Sequence, residues 1–490
     1  MMLGLMVRPA EAQWTISPES RLAGAPHGVM APVAVAPAQL APADLSEACV
    51  VRVVVTAAFL NRMLQQCQVQ ASPVRDCILG ADVFGDQQTE TCHHIELRPC
   101  ATHARFVFVL EGKVANQTVS VTPQAAIQTV GSHDFRLLKQ IDFNGQEFTT
   151  RSPEAWVTPR LSHQGAQTPV SGWPLLGPLA SGIALSESER RRPEAEWIAS
   201  QRITDQSAPR FNSEVDRHLG RANALLKNRL PTMLGSVGLS LDHLRLISQE
   251  SQFAWGVVPP TDAATSGAWP LLPGNSEAAS PVPLPTHRTG QAVTVAIHES
   301  AVNGLLRRLP LGGMEVADTQ IDQLLELLLG ILGRGSLGPI PGDLFGAIRL
   351  SADSPPPEFS TLLMDREQPL SVQYDDGTMR LRALCGFRPV LTPAVPPQWV
   401  EIPLRLQRRD GQFVLEPGEV AVTSPPGAVT SPLVELARPV VRAQVSQRLK
   451  TLPLAAQWHL DAVGLPSVPS TPLQLVELVI DDGWLIIGLD

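Results

Sequence analysis

The sequence predicts an α+β protein of two tandem repeated units, each a twisted antiparallel sheet packed on a long amphipathic helix. Three observations carry this. Val50–Leu64 (VVRVVVTAAFLNRML) matches Ala292–Leu306 (AVTVAIHESAVNGLL) without gaps. An amphipathic helix recurs near the end of each half. Between these landmarks, alternating apolar runs are joined by turn residues.

Self-similarity over a long period marks a duplicated unit. With Asn61 set on Asn303, Val51, Val53 and Val55 fall on Val293, Val295 and Ile297, and Leu60, Met63 and Leu64 fall on Val302, Leu305 and Leu306. Each copy opens with β-branched residues at every second position, the mark of a strand. It then changes to apolar residues at i, i+3 and i+4, one face of a helix.

In the first half, Phe106–Leu110, Val119–Val121 and Leu137–Phe143 are candidate strands, and Asn144-Gly145 is a hairpin turn before Phe148. A helix is expected from about Ser213 to Leu230, burying Val215, Leu219, Ala222, Leu226 and Leu230. Asn212 or Ser213 would cap it and Pro231 would end it. Leu244–Ile247 and Phe253–Val257 close the half as strands. In the second half, Leu370–Tyr374 and Met379–Ala383 form a hairpin around Asp375-Asp376-Gly377, and Asp410-Gly411 turns into Phe413–Leu415. Ser431 and Pro432 begin a helix whose face is Val434, Ala437, Val441, Val445 and Leu449, with Pro439 kinking it or delaying its start. Leu473–Val476 and Trp484–Ile487 close that half around Asp481-Asp482-Gly483.

The expected organisation follows. Residues 1–12 read as a signal-peptide remnant, because Leu3–Val7 is followed by Ala10-Glu11-Ala12, a cleavage-type pattern. Residues 13–45 are a Pro/Ala-rich tail, 46–258 unit 1 with an irregular insert at about 160–205, 259–290 a Pro/Ser/Gly linker, and 291–490 unit 2. Unit 2 carries an extra apolar helix around Ile321–Leu332.

Bulk chemistry excludes several classes. The 490 residues carry a net charge of −9, so no polyanion-binding surface and no nucleic-acid partner is expected. The longest apolar run, Leu324–Leu332, is interrupted by Glu326 and Gly330 and is far shorter than the ~20 residues of a membrane span, so no integral membrane protein is expected. Of six Cys, five lie between Cys49 and Cys100. Cys67/Cys77 and Cys92/Cys100 close short loops and are the disulfide candidates, with the connectivity left open. Cys49 and Cys385 either pair across the halves or stay thiols. Disulfides point to a secreted or periplasmic protein.

No catalytic, cofactor or metal motif survives inspection. Cys92-His93-His94 with Cys100 and His103 is the densest soft-ligand cluster, but it lacks the paired spacings of a zinc site. Neighbours on a strand point to opposite faces, so His93 and His94 cannot both readily face one metal. A disulfide-closed polar loop is the expectation there. His298-Glu299 begins like H-E-x-x-H but has Val302 in fifth place. Gly333-Arg334-Gly335-Ser336-Leu337-Gly338 follows a helix and runs into Pro339, the wrong context for a dinucleotide site. Asp375-Asp376 and Asp481-Asp482 precede Gly in hairpins and read as turn residues. Arg190-Arg191-Arg192 is interleaved with Glu187, Glu189 and Glu194 and reads as a solvated helix or loop.

The plan carried by Val50–Leu64 with Ala292–Leu306, and by Ser213–Leu230 with Ser431–Leu449, resembles the tubular lipid-binding superfamily, which includes the bactericidal/permeability-increasing and lipopolysaccharide-binding proteins. The resemblance implies two units joined end to end, each holding acyl chains between its helix and its sheet. It implies an exported binding protein for a lipid or other apolar ligand, without catalysis or cofactor. The inward helix faces supply the candidate lining residues: Leu60, Leu64, Leu219, Leu226, Val302, Leu306, Val441 and Val445. Two alternatives stand beside it: a cell-envelope structural or assembly scaffold with filled cores and an envelope protein partner, and an enzyme of unrecognised type.

Overall fold

The two segments matched in sequence lie side by side, paired antiparallel in one sheet. The computed structural model describes residues 49–64, 66–174, 176–236, 243–258, 291–309, 311–317, 360–389, 394–428, 432–459 and 472–490. The first half runs β1 (Val51–Thr56), α1 (Ala57–Leu64), β2 (Gln66–Ile78), β3 (Ala81–Arg98), β4 (Ala104–Val121), β5 (Ala126–Phe143), β6 (Phe148–Thr150), β7 (Glu154–Gln167), α2 (Leu176–Ser236), β8 (Leu244–Ser248) and β9 (Gln252–Val257). The second runs β10 (Val293–His298), α3 (Glu299–Leu306), β11 (Glu315–Ala317), β12 (Ser360–Met364), β13 (Leu370–Asp375), β14 (Thr378–Pro389), β15 (Val395–Arg409), β16 (Gln412–Pro417), β17 (Ala421–Thr423), α4 (Pro432–Arg448), β18 (Leu452–Pro453), β19 (Gln457–His459), β20 (Pro472–Asp481) and β21 (Trp484–Leu489).

These strands make three antiparallel sheets. The central one has the order β19-β20-β21-β10-β1-β9-β8. The first half builds β2-β3-β4-β5-β6, with β7 also on β5. The second half builds β11-β12-β14-β15-β16-β18, with β13 on β14 and β17 on β15. In the central sheet Val53 lies opposite Val295, flanked by Val51 opposite Ile297 and Val55 opposite Val293. Exchanging the two matched segments maps this register onto itself. The outer edges behave alike: β1 pairs with β9 from Val51/Val257 to Val55/Phe253, and β10 with β21 from Val293/Leu489 to Ile297/Leu485. Both β1 and β10 run straight into a helix of 8 residues. In each helix one Asn, Asn61 or Asn303, hydrogen-bonds a strand backbone.

Each half has an apolar core between its sheet and its helices. The first gathers Phe106, Leu110, Phe135, Leu137 and Ile141 against Phe211, Val215, Leu219 and Leu226 of α2. It also takes in Val293, Ile487 and Leu489 of the central sheet, so the halves share buried surface. Gly112 is needed here, because a Cβ on it would lie 2.2 Å from Cζ of Phe135. The second core packs Tyr374, Leu381 and Leu404 against Val434, Val441 and Val445 of α4.

Several expectations are corrected. The stretch at about 160–205 is not an irregular insert: it is the end of β7 and the first half of α2, a helix of 61 residues and roughly 90 Å at 1.5 Å per residue. Its N-terminal half has no sustained apolar stripe and is laced instead with ion pairs, Glu187 to Arg190 and Arg191, and Arg192 to Glu189, which support a solvated helix. Asn212 and Ser213 therefore lie inside the helix, as does Pro231. α4 starts at Pro432, as read, and runs through Pro439, so that proline does not delay its start. The candidate strands between residues 106 and 143 are pieces of two strands of 18 residues, whose outward positions carry polar side chains that broke the apolar pattern. The hairpins at Asn144-Gly145, Asp375–Gly377, Asp410-Gly411 and Asp482-Gly483 form as read. At the last, Asp482 and Gly483 have φ of 38° and 80°, the positive pair of a type I′ turn. The N-terminal segments 1–12 and 13–45, the linker 259–290, the helix Ile321–Leu332, the glycine motif Gly333–Gly338 and the cap Ser431 lie outside the described residues. Among the described residues no helix is long and apolar enough to cross a membrane.

Candidate functional site

The inner faces of β2 to β5 lie against the middle of α2 and leave a slot there. Its floor alternates along the strands: Gln68, Thr91 and His93, Phe108 and Leu110, and Ile141. Its roof is one face of α2, Phe211, Glu214, Val215, His218 and Leu219, spaced as i, i+3, i+4, i+7 and i+8. The slot is narrow: it encloses about 90 Å³ and opens to solvent at its mouth, room for part of an apolar chain and below the roughly 300–1,000 Å³ of usual small-molecule sites.

The walls are aromatic. Phe108 and Phe211 stack with ring centres 5.7 Å apart, and the His93 ring tilts against Phe108 at 5.6 Å. Burial holds the His93 imidazole below its ordinary value, against the pull of the Leu64 backbone, and His94 adds to the effect. Burial does the same to His218, opposed by Glu214 and helped by Arg221 and Arg217. Both rings are therefore neutral at pH 7 and can give and take hydrogen bonds without burying charge.

The roof is fixed in register by polar pins. Lys139 of β5, 1% exposed, donates to the Arg151 carbonyl at 3.0 Å and to Asn212, and pairs with Asp216 at 3.0 Å. Asn223 exchanges two hydrogen bonds with the Phe148 backbone, at 2.7 and 2.9 Å. The floor is fixed by a disulfide. Cys67 and Cys92 face each other across β2 and β3 and are bonded, on the face opposite Gln68, Thr91 and His93. The expected Cys67/Cys77 and Cys92/Cys100 loops do not close. Ten residues of extended β2 separate Cys67 from Cys77 by roughly 30 Å, far beyond disulfide reach. Cys77 and Cys100 are free, as are the buried Cys49 and Cys385.

Of the residues named from sequence, Leu219 lines the slot. Leu60, Leu64 and Leu226 are buried in the same core but not on its lining, while Leu306, Val441 and Val445 are buried in the second core and Val302 packs half-buried against it. The dense cluster at residues 92–94 divides by face: His93 turns in to the slot, and His94 lies 3.7 Å from Glu96. Sequence reasoning missed Phe108, Phe211, His93 and His218 as lining. Phe211 stands one helical turn before Val215, which was already on the buried face.

The other motifs are structural. His298 Nδ1 accepts from the Ser300 amide at 3.2 Å at the start of α3, and Glu299 accepts from the Tyr374 amide at 2.7 Å. Among the described residues no group of three or more His, Cys, Asp and Glu side chains is placed to hold a metal. A second hollow, on the outer face of β3 to β7, is lined by Glu90, Glu111, Lys113, Asp134 and Arg136 beside Trp156 and is too charged to suit an apolar chain.

No protein-family model matches the chain, and no curated protein matches its sequence. A solved structure, the crystal structure of lipopolysaccharide binding protein, aligns with 90% of this chain and 98% of its own at 10% identity and a TM-score of 0.27.

Proposed function

We propose that this chain is an exported, non-catalytic binding protein for a lipid or other apolar ligand, held in the slot between α2 and β2 to β5. The observation that carries the reading is the slot itself, with Phe108, Leu110, Ile141, Phe211, Val215 and Leu219 around a few polar groups, the Glu214 carboxylate among them. Each ligand methylene moved from water into such a place contributes about 0.8 kcal/mol. His93, His218, Thr91 and Gln68 offer hydrogen bonds to one polar end of the ligand. Export is supported by the Cys67–Cys92 disulfide, which persists in oxidising compartments.

In the same reading, residues 46–258 and 291–490 are two copies of one unit. The self-mapping register of β1 on β10 and the matching roles of Asn61 and Asn303 support it. The second half supports a different use of that unit. Its named residues Leu306, Val441 and Val445 are packed into the core, which favours a structural role for that half and keeps an envelope scaffold as the second reading.

The test is titration of the full chain, stripped of lipid, with a fluorescent long-chain fatty acid. Saturable binding that is weakened about tenfold or more by Leu219→Trp, and unchanged by a bulky change at Val441, supports the slot. No saturable binding, or equal binding by Leu219→Trp, overturns it.

A further inference from the structure

We propose that Cys100 is a reactive thiol, the site of thiol–disulfide exchange with a small disulfide such as oxidised glutathione. It lies in the loop between β3 and β4, outside the slot. Two backbone hydrogen bonds fasten that loop to β8: the Cys100 amide to the Ser248 carbonyl at 2.8 Å, and the Ser248 amide to the Cys100 carbonyl at 2.9 Å. The Ser248 hydroxyl donates to the Arg98 carbonyl and accepts from the Arg105 amide. The sulfur is thus held on a fixed backbone, not on a mobile tip.

Around it stands a Cys–His–Asp–Arg constellation. Sγ of Cys100 is 3.3 Å from Nδ1 and 3.4 Å from Nε2 of His103, and 3.7 Å from the Thr102 hydroxyl. His103 Nε2 lies 3.1 Å from Oδ1 of Asp142. Arg105 donates through Nε to the same oxygen at 2.8 Å, and its NH2 lies 3.1 Å from the imidazole. The titratable and charged groups near the sulfur are therefore His103 of the loop and the Arg105 charge of β4, with Asp142 of β5 behind them on both.

Burial alone would raise the thiol, but the Thr102 and His103 backbone, the Thr102 hydroxyl and the Arg105 charge outweigh it and leave Cys100 below its ordinary value. Burial likewise opposes ionisation of Asp142, yet hydrogen bonds from Arg105, Gln140 and His103 keep that carboxyl below its usual range. Thiolate character and partial exposure together mark reactive cysteines.

The remaining thiols differ. Cys49 and Cys385 are buried, and burial pushes Cys385 up to about 12. Cys77 is exposed and lies opposite Asp82 at one end of β3, whereas Cys100 follows Arg98 at the other. Some sixteen residues of strand separate the two by roughly 50 Å, so Cys100 cannot pair with Cys77 within the chain. Its partner sulfur comes from outside. In the exchange the Cys100 thiolate attacks one sulfur of the small disulfide, a Cys100–S bond forms and the reagent's S–S bond breaks. The departing thiolate takes up the proton that left Cys100, giving one mixed disulfide and one free thiol.

The experiment treats the folded full chain with oxidised glutathione from pH 6 to pH 9 and follows each cysteine by peptide mass spectrometry. At pH 7 Cys100 is expected to gain its adduct about tenfold faster than Cys77, with a rate midpoint at lower pH. Arg105→Gln, which removes the charge that helps hold the thiol down, is expected to slow Cys100 several-fold and move its midpoint up, leaving Cys77 unchanged. A Cys100 rate no faster than Cys77, or a midpoint no lower, overturns the proposal; this comparison needs no variant. A folded Arg105→Gln protein with an unaltered Cys100 profile also overturns it.

Discussion

Asn61 and Asn303 make the same pair of bonds in the two halves of the chain. Asn61 donates to the Ile95 carbonyl at 2.9 Å and accepts from the Ile95 amide at 2.7 Å. Asn303 donates to the Val372 carbonyl at 2.8 Å and accepts from the Val372 amide at 2.6 Å. Each side chain replaces a missing strand neighbour, tying α1 to β3 and α3 to β13. Asn61→Ala or Asn303→Ala orphans one N–H and one C=O, and each is expected to cost about 2–4 kcal/mol. The loss should be larger at Asn303, which is 8% exposed. Urea unfolding measures both; a change below about 0.5 kcal/mol at Asn303 contradicts this role.

Lys139 is the buried cation that holds α2 on β5. Removing its partner leaves a charge with too few ligands, so Asp216→Ala is expected to destabilise by about 3 kcal/mol. Lys139→Met replaces the charge by an apolar chain of similar length and is expected to cost less, because Asp216 is 42% exposed and can turn to water. Denaturant midpoints of the two variants give the order, and the reverse order contradicts it.

The Cys67–Cys92 bond links positions 25 residues apart. A loop of that length corresponds to about 3 kcal/mol of restraint on the unfolded chain. Cys67→Ser is expected to lose most of it, and Cys77→Ser almost nothing. Thermal unfolding with and without reductant checks this: the wild type should fall to the Cys67→Ser value on reduction.

Acid should loosen the protein in a defined window. Burial lowers His93, His133, His218 and His298 from 6.5. Below about pH 6.5 the unfolded chain takes up protons at these rings while the folded protein does not, so stability is full above that pH and falls as pH drops towards the folded values. Glu299, raised by burial, works in the opposite direction nearer its own range. Tm should fall between pH 7.5 and pH 5.5, and less steeply in a His93→Phe, His218→Leu protein. An identical slope in that double variant would exclude the two slot histidines as contributors.

The two strand–helix segments were legible because their signal is local: β-branched alternation, then helical spacing, at matched positions such as Val53 and Val295. Val215, Leu219 and Leu226 were legible for the same reason. The N-terminal half of α2 was not, because its large apolar residues, among them Leu179, Ile183 and Trp197, are exposed and broken up by charged ones, and Asn212 and Ser213 resemble a cap. Asn212 instead accepts from Lys139, a tertiary contact, and Ser213 bonds back to the Arg210 carbonyl within the helix. Cys67 found Cys92 through strand register, which loop length could not foretell. The slot brings Phe108 from one strand to Phe211 on a helix a hundred residues later, and nothing in either neighbourhood announces the pairing. His93 was partly legible: the strand rule that separated it from His94 also turned it inward.

The most direct measurement is native mass spectrometry of the full chain purified from its own host's envelope fraction, with organic extraction of whatever is bound. The account predicts a stoichiometric apolar adduct on the wild type that is absent from Leu219→Trp. A clean apo mass, under conditions where a known lipid carrier keeps its ligand, would contradict it and favour a scaffold.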